Sequence, residues 1–170
     1  MEVRIAVGSD HAGYDLKVVL AEHLVGTGHE VTDLGTGNDR DSVDYPDFGA
    51  AVGRAVVAGQ ADLGVCVCGT GIGISIAANK VPGVRAAVVH DVTTASLARQ
   101  HNHANVVCLG GRTVGEATAV DALDAFLAAV PQHGRHDRRI EEITELERSA
   151  AGVADRGNDR PDPVTAGGSR

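Results

Sequence analysis

Residues 63–80 of the 170-residue chain, LGVCVCGTGIGISIAANK, join an apolar run to a glycine-rich turn and then to a segment of helical character. The apolar run at 63–68 favours a fully buried strand at the centre of a parallel sheet. The glycines at 69, 71 and 73 let the backbone approach a ligand, and the free amides of the following helix would point towards it. A tight strand–helix turn without a ligand would have the same pattern, so the loop alone leaves both readings open.

Other runs rich in Val and Ile alternate with helical segments along the chain. Strands are predicted at 3–7, 30–35, 63–68, 84–89 and 105–111, and helices at 14–26, 46–59, after the glycine loop, 92–101, 113–130 and 137–150. Five strand–helix repeats are typical of an α/β fold with an open, five-stranded parallel sheet and helices on both faces, a Rossmann-like arrangement. The more polar run at 30–35 belongs nearer an edge.

The length suits one domain, which we place at residues 1–150. Residues 151–170 are rich in Gly, Pro, Asp and Arg and predict a flexible C-terminal tail. Hydrophobic residues make up 43% of the chain and aromatic residues 2%, so the core must consist mainly of Val, Ala, Leu and Ile. The net charge of −8 disfavours nucleic acid or an anionic membrane as a partner.

Three cysteines, Cys66, Cys68 and Cys108, lie in strand-like runs and not at the spacings of a disulfide framework. The N-terminus shows no basic region followed by a long apolar stretch, and no run approaches the roughly 18 apolar residues of a membrane span. We therefore expect a reducing, cytoplasmic setting and no membrane partner.

The ends of the predicted strands are where a ligand should bind, since parallel α/β sheets bind ligands beyond the carboxyl ends of their strands. Asp10 and His11 follow the first strand, His90 the fourth and Arg112 the fifth. Asp10 could instead only cap a helix. These segments and the glycine loop are the candidate site.

Cys68 ends the third strand at the edge of the glycine loop, one position beyond the expected limit of the core. Helix-start amides there would stabilise a thiolate. Cys66, on the same strand face, is most simply a core residue. Other interpretations of Cys68 are an inert thiol, a metal ligand without a visible second pair, or a redox pair without the usual C-x-x-C spacing.

Two further groups of residues carry charge near helix ends. His101 lies where the negative end of a helix dipole favours an imidazolium, so it could be a capping residue or an acid. His101 and His103 do not share a helix face, which argues against a metal pair. Arg135 and Arg139 are four apart on one face of the last helix, an arrangement that suits phosphate.

Together these segments resemble ribose-5-phosphate isomerase B, in the sugar-phosphate isomerase group that also includes the galactose-6-phosphate isomerase subunits. The resemblance covers about residues 1–150 and is carried by GSDHAGYDLK (8–17), DYPDF (44–48), CGTGIGISIAANK (68–80), RQHNHANVVCLGGR (99–112) and GRHDRRI (134–140). It implies aldose–ketose isomerisation of ribose 5-phosphate and ribulose 5-phosphate, without a metal or organic cofactor. It also implies at least a homodimer, because the family's sites form between subunits.

The resemblance also implies a role for each matching position. The catalytic positions are Cys68, the proton-transferring base, His101, the acid that opens the sugar ring, and Asp10, which assists it. The substrate-binding positions are Asp10, His11, Gly69, Thr70, Gly71, Ile72, Gly73, Asn102, Arg112, Arg135 and Arg139. Some family members use a carboxylate base after a serine; Cys68, followed by Ile72 and Ile74, places this sequence with the thiol users.

The residues themselves are compatible with this chemistry. Moving a proton next to a carbonyl creates an enediolate, and preorganised amides stabilise that charge by about 3 kcal/mol per donor. A base contributes roughly another factor of 10² to 10⁴ in rate. Isomerisation of allose 6-phosphate, galactose 6-phosphate or a tetrose phosphate, and a non-catalytic sugar-phosphate sensor, are the alternative functions.

Overall fold

The computed structural model describes residues 2–157, with side chains through residue 150. The strands are β1 (Arg4–Ser9), β2 (Glu30–Asp33), β3 (Leu63–Cys68), β4 (Ala86–Val88) and β5 (Val106–Gly110). A 3₁₀ turn at His11–Gly13 precedes α1 (Tyr14–Gly26), and the other helices are α2 (Tyr45–Val57), α3 (Ile72–Ala78), α4 (Val92–Asn102), α5 (Glu116–Ala128) and α6 (Arg135–Gly157). The predicted α/β alternation is confirmed. Residues 158–170, most of the predicted tail, lie outside the described residues.

All five strands are parallel, in the order β2-β1-β3-β5-β4. The apolar strand β3 is central and the more polar β2 is at an edge, as predicted. From β1 the chain first moves outward to β2 and then returns to β3 on the other side. The winding therefore reverses between β1 and β3, which is the position where open α/β sheets bind ligands.

Helices cover both faces of the sheet, as the sequence predicts. One apolar layer joins Val65 and Val67 of β3 to α1, α4 and α5 and includes the fully buried Phe126. The other joins Cys66 and Cys68 of the same strand to α2 and α3. All six residues of β3 are buried, since the strand faces an apolar layer on each side.

Helix α6 lies outside these two layers and contacts the rest of the chain at a few points. Near its C-terminal half, Glu147 accepts hydrogen bonds from the Gly83 N–H at 3.1 and 3.0 Å. In the segment before it, the Gln132 N–H donates to the Gln100 carbonyl at 2.8 Å. The bond from Gln132 holds the start of α6 beside the end of α4.

Candidate active site

A cleft of about 430 Å³ opens beyond the carboxyl ends of β1, β3 and β5. It lies over the reversal of winding between β1 and β3, where the topology predicts a ligand. Its lining residues are Asp10, His11, Ala12, Tyr45, Cys68, Gly69, Thr70, Ile72, Gly73 and Arg112. We call this region the glycine-loop cleft.

Cys68 lines the cleft as the last residue of β3, and its side chain is only 4% exposed. The expectation that the core ends before Cys68 is therefore wrong: the strand and its apolar layer both include this residue. The loop covers it by turning back, so that the Gly71 N–H donates to Sγ at 3.2 Å. N–H donors placed in this way stabilise negative charge beside the sulfur.

The glycine loop is tied to the end of β5 by backbone hydrogen bonds. The Gly111 N–H donates to the Cys68 carbonyl at 2.8 Å, and the Arg112 N–H donates to the Gly69 carbonyl at 3.0 Å. Gly71 has a φ of +78°, and a Cβ there would lie 3.0 Å from the backbone of Leu109. Glycine is therefore required at this position by both conformation and space.

Arg112 brings a cation to the same loop. Its guanidinium lies so close to Gly69 that a Cβ at that glycine would be 3.4 Å from Nη1. Because the backbone of Arg112 is bonded to Gly69, the charge is held at the loop by the fold itself. A planar guanidinium in this position suits the oxygens of a phosphate.

Asp10 and His11 bring polar groups to the cleft from the end of β1. Asp10 is 5% exposed, and its Oδ1 accepts a hydrogen bond from the Gly13 N–H at 3.0 Å. Within the described part of the chain Oδ2 accepts none. His11 accepts the Val43 N–H through Nδ1 at 3.3 Å, so a neutral His11 carries its proton on Nε2 and can donate it to a ligand.

The other predicted site residues lie elsewhere in the chain. His101 and Asn102 end α4, and Arg135 and Arg139 lie in the first turns of α6. None of the four lines the glycine-loop cleft. We call this second group, with His136, the histidine–arginine corner.

The corner is organised around two stacked imidazoles. The rings of His101 and His136 lie 4.4 Å apart between centroids, with an angle of 9° between their planes. His136 is 5% exposed, and burial, together with the neighbouring His101, Arg135, Arg139 and His103, lowers the pKa of His136. His136 is therefore a neutral ring against which His101 rests.

The comparisons with known proteins identify the family. A model of the Ribose/Galactose Isomerase family matches residues 5–143. The chain belongs to this family. It is 46% identical over 145 residues to ribose-5-phosphate isomerase B of Escherichia coli K12, covering 85% of this chain and 97% of that protein.

Solved structures of family members have the same fold. Ribose-5-phosphate isomerase B of Clostridium thermocellum has a TM-score of 0.85 and 50% identity, and the match covers 86% of this chain and 99% of that one. The enzyme of Mycoplasma genitalium, solved with bound ribulose 5-phosphate, has a TM-score of 0.81 and 44% identity, covering 85% of this chain and 96% of that one. The resemblance noted from the sequence is thus confirmed.

Neither Tyr45 nor His136 was singled out from the sequence, although each lies beside predicted site residues. Tyr45 begins α2 and lines the cleft, where its ring packs on Gly73 so closely that a Cβ there would lie 2.7 Å from it. The sequence evidence for Tyr45 was the DYPDF motif, which marks a helix start beside the site. His136 gave no signal of its own, since it stands among arginines in GRHDRRI. His90, considered for the cleft, is exposed and does not line it.

A metal-binding cluster and a membrane-spanning helix are both absent from the residues that the structure describes. No three His, Cys, Asp or Glu side chains come together there in a way that could hold a metal ion. No helix in the same part of the chain combines the length and apolarity that a membrane span needs.

Proposed function

We propose that this chain interconverts ribose 5-phosphate and ribulose 5-phosphate through an enediolate, with Cys68 as the base. The observation that carries this proposal is the position of Cys68 Sγ in the cleft, 3.2 Å from the Gly71 N–H. The proton acceptor and an N–H that stabilises its thiolate form therefore lie side by side. The related enzyme that binds ribulose 5-phosphate supports the choice of sugar.

In the central step, the Cys68 thiolate removes the proton from C2 of the open-chain aldose. The electrons of that C–H bond form the C1–C2 double bond of the enediolate, and the carbonyl oxygen at C1 becomes an anion. Backbone N–H groups of residues 69–73 would hold this charge, the largest contribution to catalysis in reactions of this type. The thiol then returns the proton to C1, and the hydroxyl proton of O2 passes to O1.

Ribose 5-phosphate is mainly a closed furanose, so a ring-opening step must come first. We assign protonation of the ring oxygen to His101, while Asp10 accepts the proton of the O1 hydroxyl. The buried Asp10 carboxylate, with Oδ1 already bonded to the Gly13 N–H, has Oδ2 available for this task. The sugar contact is assigned to Asn102.

We assign the phosphate to His11, Arg112, Arg135 and Arg139. The first two lie in the cleft and the last two in the corner, and the corner does not line the cleft of its own chain. A second copy that brings its corner to this cleft would complete the site. The protein is therefore proposed to be at least a homodimer with sites between subunits.

We propose a cytoplasmic location for the enzyme. The three cysteines are free and buried, which supports a reducing compartment. The substrate is tested by assaying the purified chain with ribose 5-phosphate, allose 6-phosphate, galactose 6-phosphate and erythrose 4-phosphate. We expect the highest kcat/KM with ribose 5-phosphate. A higher value with another sugar would overturn the substrate, and binding of every sugar without turnover would favour a sensor.

The shared site is tested by mixing two inactive variants. Cys68→Ala damages only the cleft and His101→Ala only the corner, so a mixed dimer has one intact site and one with both defects. After unfolding and refolding an equal mixture, half of the dimers should be mixed, and activity should return to about a quarter of the wild-type value. Mixtures that stay inactive, although the wild type recovers from the same treatment, would overturn the intersubunit arrangement.

A further inference from the structure

We infer that His136 is a positioning residue that holds the ring-opening acid His101 and the phosphate-binding Arg135 in fixed relation to each other. This inference rests on the proposed function, since it takes the roles of His101 and Arg135 from it. The resemblance assigned no role to His136. Its two contacts carry the argument.

The first contact is the ring stack with His101. The centroids lie 4.4 Å apart, the planes are within 9° of parallel, and His136 is 5% exposed. A side chain at the end of a helix has several open rotamers, but a flat neighbour leaves the imidazole of His101 one plane to occupy. An acid must present its proton along the lone pair of the ring oxygen, so this plane decides how well it can act.

The second contact joins His136 to Arg135. The Arg135 Nε–H donates to His136 Nε2 at 3.4 Å. An imidazole nitrogen accepts a hydrogen bond only when it is unprotonated, so His136 is neutral in this arrangement and carries its proton on Nδ1. A neutral ring can lie against an imidazolium at His101, whereas a charged ring would repel it.

The surrounding backbone keeps the two contacts together. The Gln132 N–H donates to the Gln100 carbonyl at 2.8 Å, and His103 Nε2 lies 2.7 Å from the Gln132 carbonyl. These hydrogen bonds dock the segment before α6 on the last turn of α4. His136 contacts both His101 and Arg135, so the docked segment positions both residues through this side chain.

The two contacts can be separated by substitution. His136→Phe keeps a flat ring for the stack and removes the acceptor for Arg135. His136→Ala removes both. His133→Ala is the matched control. His133 is 80% exposed and bonds to Asp137 in the same turn, and its ring lies edge-on to His103 at 5.9 Å and not in the stack of His101 and His136. Thermal melting of each variant reports whether the fold is retained.

Two reactions distinguish a defect in the ring-opening acid from a defect in the base. Conversion of ribose 5-phosphate needs ring opening, whereas exchange of a C1 hydrogen of ribulose 5-phosphate with D₂O does not, because the phosphate on O5 prevents that ketose from closing a furanose ring. His136→Phe should raise KM for both sugars about 3- to 10-fold through the loss at Arg135. His136→Ala should also lower kcat for ribose 5-phosphate by about 10- to 100-fold, with the maximal rate of exchange in ribulose 5-phosphate retained.

Four results would overturn the inference. The first is an active wild type whose His136→Ala variant keeps both kinetic constants, and the second is an equal loss of maximal rate in both reactions. The third is a kcat loss in His136→Phe as large as in His136→Ala, and the fourth is an effect of His133→Ala equal to that of His136→Ala. A wild type inactive in both reactions would instead overturn the proposed function.

Discussion

The glycine-loop cleft and the histidine–arginine corner are built in different ways. In the cleft, the ends of three adjacent strands and their backbone hydrogen bonds fix the functional groups. In the corner, the groups are side chains at the end of α4 and the start of α6, where His101 and His136 stack. The difference matches the proposed tasks, because proton transfer at carbon needs rigid geometry, while phosphate binding and ring opening need charge and orientation.

Substitution in the cleft should give the largest loss of activity. Removing the Cys68 thiol should lower kcat by about 10²- to 10⁴-fold, because the proposed base for the C2 proton is lost. Binding of ribulose 5-phosphate, measured by calorimetry, should change little in Cys68→Ala. The control is Cys66→Ala, which removes a buried thiol from the same face of β3 but outside the cleft. Equal loss of kcat in both variants would contradict the assignment of the base.

Substitution in the backbone of the glycine loop should give the next largest loss of activity. In Gly71→Ala the positive φ costs about 1–2 kcal/mol of unfolding free energy. The new Cβ also meets Leu109 at 3.0 Å, so the loop must move and kcat should fall by about 10²- to 10³-fold. Gly59 is the matched control, with a φ of +69° and nothing within 4 Å of the position that an added Cβ would take. Urea unfolding should show only the φ-dependent loss of stability in Gly59→Ala, and its kcat should stay at the wild-type value.

The arginines of the corner should respond mainly through KM. Arg139→Ala should raise KM for ribose 5-phosphate by about 10- to 100-fold, the effect of losing one charged hydrogen-bond donor to phosphate. The neighbouring Arg138 bonds to Glu142 at 2.8 Å on the exposed side of α6 and is the matched control. A similar KM for Arg138→Ala and Arg139→Ala would contradict the idea that this face of α6 binds the phosphate.

The smallest expected effect concerns stability against pH. The pKa of His136 lies below its ordinary value of 6.5, through burial and through His101, Arg135, Arg139 and His103. The unfolded chain therefore binds a proton there more readily, and stability is lost as the pH falls from above 6.5. Between about pH 7 and about pH 5, the urea midpoint of the wild type should fall more than that of His136→Phe. Parallel curves would show that His136 does not titrate differently in the folded state.

The fold was largely predictable because its signals are local. Helix α1 was predicted at 14–26 and spans Tyr14–Gly26, where the glycines at 26 and 28 mark its end. The predicted strand at 84–89 is shorter, Ala86–Val88, because as an edge strand it has only β5 as a neighbour. The placement of β5 between β3 and β4 could not be derived, since a parallel crossover of this length can reach either position.

The site was predictable residue by residue but not in its arrangement. The cleft residues follow strand ends, and the topology brings strand ends together. The burial of Cys68 depends on the loop folding back through Gly71, which no pattern of side chains reports. The stack of His101 on His136 depends on how two helices dock, and a single histidine among arginines carries no sign of that.

The donors proposed to face the enediolate charge belong to the main chain, and every amino acid except proline keeps its peptide N–H. Point changes at Thr70 or Ile72 can therefore alter the width of the pocket without removing the groups that make enolisation possible. A scaffold of this kind can diverge towards shorter or longer sugars in single steps. The family that the chain matches includes both ribose and galactose isomerases, as such a scaffold would allow.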